Sequence, residues 1–323
     1  MNRPAVVILR KELRDVLRNR LLLLLVAGLG TVIVLSVIVA AAAFHTKVLD
    51  YQKYLNAMTS AGMAGNVTEP QLFALQLLRG AVEYLEIIGA IVAIVIGYGM
   101  AAKEKNRGTL RLLFSRPVGA LSVALGKLLA LAVIWLAVIV ALAVVMVMSI
   151  RIVGGTGLSS PESVKLAIAL GLAWLYLSMW SALSFGLAGM TRQLSTALVV
   201  GLMLWLGFVL IIPQIGDTMD PDNQVPGGLF KALQIDKPQE KAVMAHFSGY
   251  ETTRNLLEST SISKRFERAT FAFLGVKDKF NGKPLGVIWS GMWSNIVWLT
   301  IGSVIAAGLA LTQNKKRNLL RRD

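Results

Sequence analysis

The chain has 323 residues, 55% of them hydrophobic and 16% charged, with a formal net charge of +15 and no cysteine. Soluble domains carry about 25% charged residues; here the apolar residues come in long runs, which describes an integral membrane protein. The lack of cysteine excludes disulfides, thiolate metal ligands and a cysteine nucleophile, and His45 and His246 alone leave little for an imidazole metal site.

The excess charge alternates along the chain. Segments 1–20, 101–127, 190–196 and 313–323 together carry +14, whereas the connections 45–86, 151–165 and 214–285 are nearly balanced. This is the positive-inside pattern. It predicts six spans in the cell membrane, both termini cytoplasmic, and no nucleic-acid face, which would gather the charge on one soluble surface.

Residues 1–20 open the chain as a cytoplasmic amphipathic helix. Val6, Leu9, Leu13, Val16 and Leu17 recur at steps of three and four, with Arg10, Lys11, Arg14, Asp15 and Arg18 on the other face. Such a helix suits the inner lipid interface. Span one is expected at 21–44. The outer loop that follows holds an Asn66-Val67-Thr68 sequon and a short helix opened by Pro70. Span two is expected at 82–102, with Glu83 and Glu86 in its outermost turns. A carboxylate in a membrane segment is a candidate for the translocation path; the competing reading is a carboxylate in the wet headgroup layer. Span three is expected at 128–150 and span four at 164–190, capped by Ser160 or Ser163. Span five follows at 197–212, ending at Pro213. Gly171, Ser178, Ser181, Ser184, Gly186, Gly189 and Gly201 allow close helix approach in lipid.

Residues 213–284 form the one sizeable extracytoplasmic segment. After the turn-rich GDTMDPDNQVPGG, helical patterns run near 238–248 and 253–274. In the second, Leu256, Leu257, Phe266, Ala269, Phe273 and Leu274 share one side. The segment is expected to pack on the outer mouth of the bundle. Span six occupies 285–312, with Trp289, Trp293 and Trp298 toward its outer half, and the basic tail 313–323 closes the chain inside.

Most chemical motifs fail on spacing. GALSVALGK, 119–127, has its first glycine too far from Gly126-Lys127, and Leu128 stands where a phosphate loop needs Ser or Thr. There is no G-x-S-x-G or H-E-x-x-H pattern. The 12 methionines are scattered, as packing residues are. What remains is the polar island 103–118 between spans two and three. Gly108 turns the chain out of span two, Thr109 caps a short helix, and Leu110, Leu113 and Phe114 form an apolar edge beside Arg111 and Arg116. Pro117 ends the helix. A short helix with an apolar and cationic face suits docking into a cytosolic protein; the alternative is an ordinary basic interfacial loop.

The island resembles the inner loop of the type-2 ABC exporter permeases, whose pattern is roughly E-K/R-x-x-G-T-L-x-L-L-x-S-x-P-V with G-K at the head of span three. Here it reads Glu104-Lys105, Arg107-Gly108-Thr109-Leu110, Leu112-Leu113, Ser115-Arg116-Pro117-Val118 and Gly126-Lys127. The opening RKELRDVLRNR is similar to their N-terminal helix. Within the family the chain looks nearest to the permeases of copper-enzyme maturation and of antibiotic or sodium export.

The resemblance implies six spans per subunit and a short cytoplasmic coupling helix; with the residue reading this gives an all-α membrane subunit of six transmembrane helices with an amphipathic N-terminal interfacial helix and a helical extracytoplasmic segment between spans five and six, the last longer than in the simplest members. It implies a homodimer in membrane lipid, coupled to a separate cytosolic ATPase that binds the ATP and magnesium, so that this chain is not itself an enzyme and holds no cofactor. On that reading Glu104, Arg107, Gly108, Thr109, Leu110, Leu113, Phe114 and Arg116 form the coupling contact, flanked by Lys11, Glu12 and Asp15, with Arg192 a lesser contact. Two alternatives stay open: a module that acts on an extracytoplasmic partner through 213–284, and a secondary transporter or channel.

Overall fold

The computed structural model describes residues 3–18, 20–61, 73–106, 119–153, 155, 157–219, 230, 233, 235, 239, 242–243 and 248–313. The protein is an all-α integral membrane protein: among the described residues there is no strand. Among the described residues six helices are long and apolar enough to cross a membrane: Leu23–Ser60, Ala74–Lys103, Ala120–Ile152, Ser160–Met190, Leu194–Thr218 and Leu285–Thr312. Lys103 at the close of span two pairs with Asp15 of the N-terminal helix. Gly126 near the start of span three lies against Ala5 and Ile8 of that helix, and Gly186 late in span four lies against Ala310 late in span six. These contacts define a terminal end of the bundle; the opposite, far end carries the starts of spans two, four and six.

The N-terminal helix, Arg3–Leu17, folds back onto the bundle. Ala5, Ile8 and Glu12 are buried, and Leu9, Leu13 and Val16 pack half-buried against the core. Its helical steps thus bury a protein face that includes Glu12, a residue the apolar pattern alone left out.

Several helices outrun the spans expected from hydropathy. The first runs over Arg20–Ser60, because 45–60 contain neither glycine nor proline and add an Asp50–Lys53 pair one turn apart. Its length, about 60 Å at 1.5 Å per residue, carries the last turns beyond a hydrocarbon layer of about 30 Å. The sequon at Asn66 and the helix start at Pro70 lie outside the described residues. Span two starts at Ala74 as a tight 3-10 turn, Ala74–Leu78, and continues through Arg79–Tyr84, a π-helical turn Leu85–Gly89 and Ala90–Asn106. Span four is capped at Ser159 rather than at Ser160 or Ser163: the Ser159 N–H donates to the Glu162 carboxylate at 2.8 Å. Pro161 falls in the first turn, where no N–H is needed.

Span five does not stop at Pro213. A π-helical turn, Leu206–Ile211, precedes Ile212–Thr218. Proline removes the N–H that the carbonyl four residues earlier would receive and crowds that carbonyl; the widened turn immediately before it accommodates both, and the helix goes on.

Span four is the centre of the core, with Tyr176, Trp180 and Phe185 fully buried. Spans two and four cross at Gly97, where a Cβ would lie 2.1 Å from the Ser181 carbonyl oxygen. Ser184 Oγ donates to the Ile94 carbonyl at 2.8 Å, and the Trp135 indole donates to Ser181 Oγ at 2.6 Å. Of the small residues expected to mediate packing, Gly186, Ser181 and Ser184 do so. Nothing lies within 4 Å of a Cβ built at Gly171.

The segment between spans five and six is not a cap on the bundle mouth. Among its described residues, helices Ser248–Thr260 and Ile262–Phe273 form a hairpin that inserts between the spans. Ser261, at the tip, caps the second helix by accepting from the Lys264 N–H and donates to the Phe208 carbonyl of span five. Ile262 fills the notch left by Gly302 in span six, beside Met179 of span four. Phe266 stacks on Tyr176 with ring centroids 4.4 Å apart. The break at Ser261 resets the helical phase, so Phe266, Ala269, Phe273 and Leu274 are buried while Leu256, expected on the same side, is exposed.

Candidate functional site

Two places hold ionisable side chains where a membrane bundle ordinarily has none, one at each end. At the terminal end the N-terminal helix grips both flanks of the loop between spans two and three. On the span-two flank, Asp15 pairs with Lys103. On the span-three flank, Gly126 brings the N-terminal helix so close that a Cβ would lie 2.9 Å from the Ala5 carbonyl oxygen. The buried Lys127 then ties the flanks to each other: its ammonium donates to the Met100 carbonyl of span two at 2.7 Å and sits 5.7 Å from the Phe185 ring centroid of span four. A hydrogen bond from a charged donor contributes roughly 1.5–3 kcal/mol, and a desolvated cation over a ring adds to it.

Of the residues expected at this end, Glu12 is buried and holds the Lys11 ammonium at 3.5 Å. Glu104 falls in the last turn of Ala90–Asn106, and Arg192 is exposed in the turn between spans four and five. Arg107, Gly108, Thr109, Leu110, Leu113, Phe114 and Arg116 lie outside the described residues. The flanks of the island are therefore placed by geometry, and the island by sequence alone.

At the far end a chamber of about 900 Å³ opens between span two, span five, the hairpin and the start of span six. Both π-helical turns face it: Glu86 and Ile87 come from the first, Val209 and Leu210 from the second. A π turn releases carbonyls from the regular ladder, and each is taken by a neighbour. The Tyr176 hydroxyl donates to the Glu86 carbonyl at 3.0 Å, the Trp205 indole donates to the Ile87 carbonyl at 3.1 Å, and Ser261 takes that of Phe208. With the Tyr176 proton committed to Glu86, Ser263 donates to the tyrosine oxygen at 2.8 Å. The two irregular turns are thus wired to span four and the hairpin.

The hairpin brings the chamber's charges. Arg254 and Arg268 share the Glu258 carboxylate, for which Gly216 of span five leaves room: a Cβ there would lie 2.7 Å from the glutamate Cγ. Burial pushes the Glu258 carboxyl up, but the two guanidinium groups outweigh it and hold it below the usual glutamate range. Lys264 pairs with Glu267 at 2.8 Å. Burial lowers the Lys264 ammonium, yet Glu267, Asp217 and Glu86 together keep it above the ordinary lysine value. At the rim, the exposed Lys277 is held below the ordinary lysine value, first by partial loss of water around its ammonium and then by Arg268, and Arg79 pairs with Glu83 at 3.0 Å.

Glu86 therefore stands twelve residues into the helical run that begins at Ala74, not in its outermost turn. It is 6% exposed, and among the described residues no hydrogen bond or ion pair ends on its carboxylate. Glu83 is on the half-exposed rim. Glu83 and Glu86, the carboxylates expected on span two, both line this chamber; its larger half, with Asp217, Glu258, Lys264, Glu267 and Arg268, comes from segments read as water-exposed. The available signal was the alternation in 262–273 of charged residues with Phe266, Ala269 and Phe273, too apolar a face for a free surface helix.

A family model described as ABC-2 family transporter protein matches residues 6–316. No curated protein matches the chain.

Proposed function

The chain belongs to the ABC-2 transporter family, and from that premise we propose that it is the permease subunit of an ATP-driven exporter, dimeric and driven by a separate cytosolic ATPase. In this reading the terminal end is cytoplasmic, and the ATPase binds the ATP and magnesium. It docks on the short helix 109–115, with Glu104, Arg107, Gly108, Thr109, Leu110, Leu113, Phe114 and Arg116 in contact. Lys11, Glu12, Asp15 and Arg192 flank that contact. Glu83 and Glu86 line the exit end of the path, and lipid surrounds two copies of the chain.

One observation carries the reading. Both flanks of the loop are held by the same N-terminal helix, and Lys127 ties spans two and three together behind it. A push on the loop cannot be absorbed where it lands; it is delivered to spans two, three and four as a unit. Coupling through a packed element with discrete arrangements is the physical route by which work at one site reaches another.

The test is reconstitution of the chain with its ATPase in lipid nanodiscs, comparing wild type with the double variant Gly108→Val, Leu113→Asp. The variant should keep the wild-type thermal midpoint and lose permease-dependent stimulation of ATP turnover at least tenfold. Unchanged stimulation would remove the coupling assignment. Because the chain has no cysteine, single cysteines at Arg192 and Lys283 report orientation directly: an impermeant maleimide added to intact cells should label only the second.

A further inference from the structure

We propose that the far-end chamber binds an amphipathic organic cation, with Glu86 as the counter-ion and the apolar walls as the seat for the hydrocarbon part. The proposal rests on the permease reading, which makes the ligand cargo in passage, but its chemistry comes from the chamber.

A carboxylate buried in a membrane bundle ordinarily has a partner; the Glu86 carboxylate has no hydrogen bond or ion pair among the described residues. Lys264, on whose charge Glu86 also acts, is paired with Glu267 at 2.8 Å. The other cations on the wall have protein or water to answer them. Arg254 and Arg268 hold Glu258, Arg79 holds Glu83, and Lys277 is exposed at the rim. Among the described residues, Glu86 is the buried ionisable side chain of the chamber left without a hydrogen bond or ion pair. Among the chamber's charged side chains, Ile87, Val209, Leu210, Phe271 and Met292 supply an apolar part of the wall. An ammonium carried on a ring or short chain satisfies both surfaces at once. A bare metal ion does not: among the described residues no group of three metal-ligating side chains could hold one. The volume, about 900 Å³, is that of a site for a drug-sized molecule. Glu86 also lies in a π-helical turn facing a second one, a backbone arrangement that recurs at functional sites.

The test measures equilibrium binding of dansylcadaverine, a primary ammonium on a naphthalene, to the full-length chain in nanodiscs of neutral lipid, against empty nanodiscs. Its N-acetyl derivative (neutral) and dansyl-aminocaproate (anionic) serve as comparisons. The cation should bind at least tenfold more tightly than either analogue. Glu86→Gln should weaken it at least tenfold with an unchanged thermal midpoint, while Asp50→Asn, outside the chamber lining, should not. If Glu86→Gln fails to fold, wild-type protein still decides. Dicyclohexylcarbodiimide should modify Glu86, read by peptide mass spectrometry, and the cation but not the neutral analogue should protect it. Equal binding of the three compounds, wild-type affinity in folded Glu86→Gln, or no protection overturns the proposal. No ATPase is present, so a negative result leaves the coupling reading standing, and a failure of coupling leaves this binding intact.

Discussion

The two ends of this bundle use charge in opposite ways. At the terminal end Lys127 and the Asp15–Lys103 pair are spent on protein partners, and glycine closes the remaining distance. At the far end the charges surround open volume, two helices give up regular hydrogen bonding, and among the described residues Glu86 has no hydrogen bond or ion pair. On the proposed reading the first arrangement transmits displacement. The second can accept a ligand and change shape, because irregular turns wired by single side-chain bonds have alternatives that a packed glycine crossing lacks. The two are joined by spans two and four at Gly97.

Breaking that join has the largest expected effect. Gly97→Leu forces a side chain into the Ser181 backbone, which cannot rotate away. Overpacking of this kind costs about 3 kcal/mol, so both ends should lose order together in a thermal unfolding measurement; separate loss would show that they are independent units. Next, Lys127→Met keeps the volume and removes the donor to Met100 and the cation over Phe185. A cost of about 1.5–3 kcal/mol is expected, with ATP turnover no longer responding to the permease. A stable, fully coupled variant would show that the tie between spans two and three is ornamental.

At the hairpin tip Ser261→Ala removes the cap and the bond to Phe208. Loss of a cap costs about 1 kcal/mol, and the bond in a membrane setting about 0.6 kcal/mol. The change should appear as faster hydrogen exchange in 248–273, with the terminal end unaffected. Acid provides a further separation. Glu258 is held below its ordinary value, so its stabilising contribution is present above about pH 4.5 and is lost as pH falls through the folded value. The hairpin should loosen first on acidification, and Glu258→Gln should abolish that acid step while weakening the hairpin at neutral pH. The smallest effect is at the Asp15–Lys103 pair, about one-third exposed on both sides. Asp15→Asn should cost less than about 1 kcal/mol, and the difference from wild type should shrink at high salt.

The two ends also differ in how far the sequence discloses them. The terminal end is written locally: an amphipathic run, a polar island, Gly126-Lys127. Only the partners are hidden, because nothing in the sequence says that Lys127 reaches Met100 or that Glu12 faces inward. The far end is written almost entirely in tertiary contacts. A π turn changes neither composition nor hydropathy, so only Pro213 hints at the one in span five, and nothing in 85–89 signals the other. The hairpin carries enough charge to read as water-exposed, and its insertion depends on notches at Gly302 and Gly216 in distant spans. Glu86 was legible as a candidate but not as a buried one, since hydropathy began span two eight residues late.

The central claim is that work delivered at the terminal loop moves the far-end chamber. The direct measurement places spin labels at Tyr84→Cys on span two and Asn255→Cys on the hairpin and reads their distance by electron–electron resonance, in the complex with its ATPase, with and without ATP. An ATP-dependent shift in the distance distribution is expected, and it should disappear in Lys127→Met and in the Gly108→Val, Leu113→Asp variant. An unchanged distribution in the wild-type complex, or the same shift in the uncoupled variants, would contradict the claim.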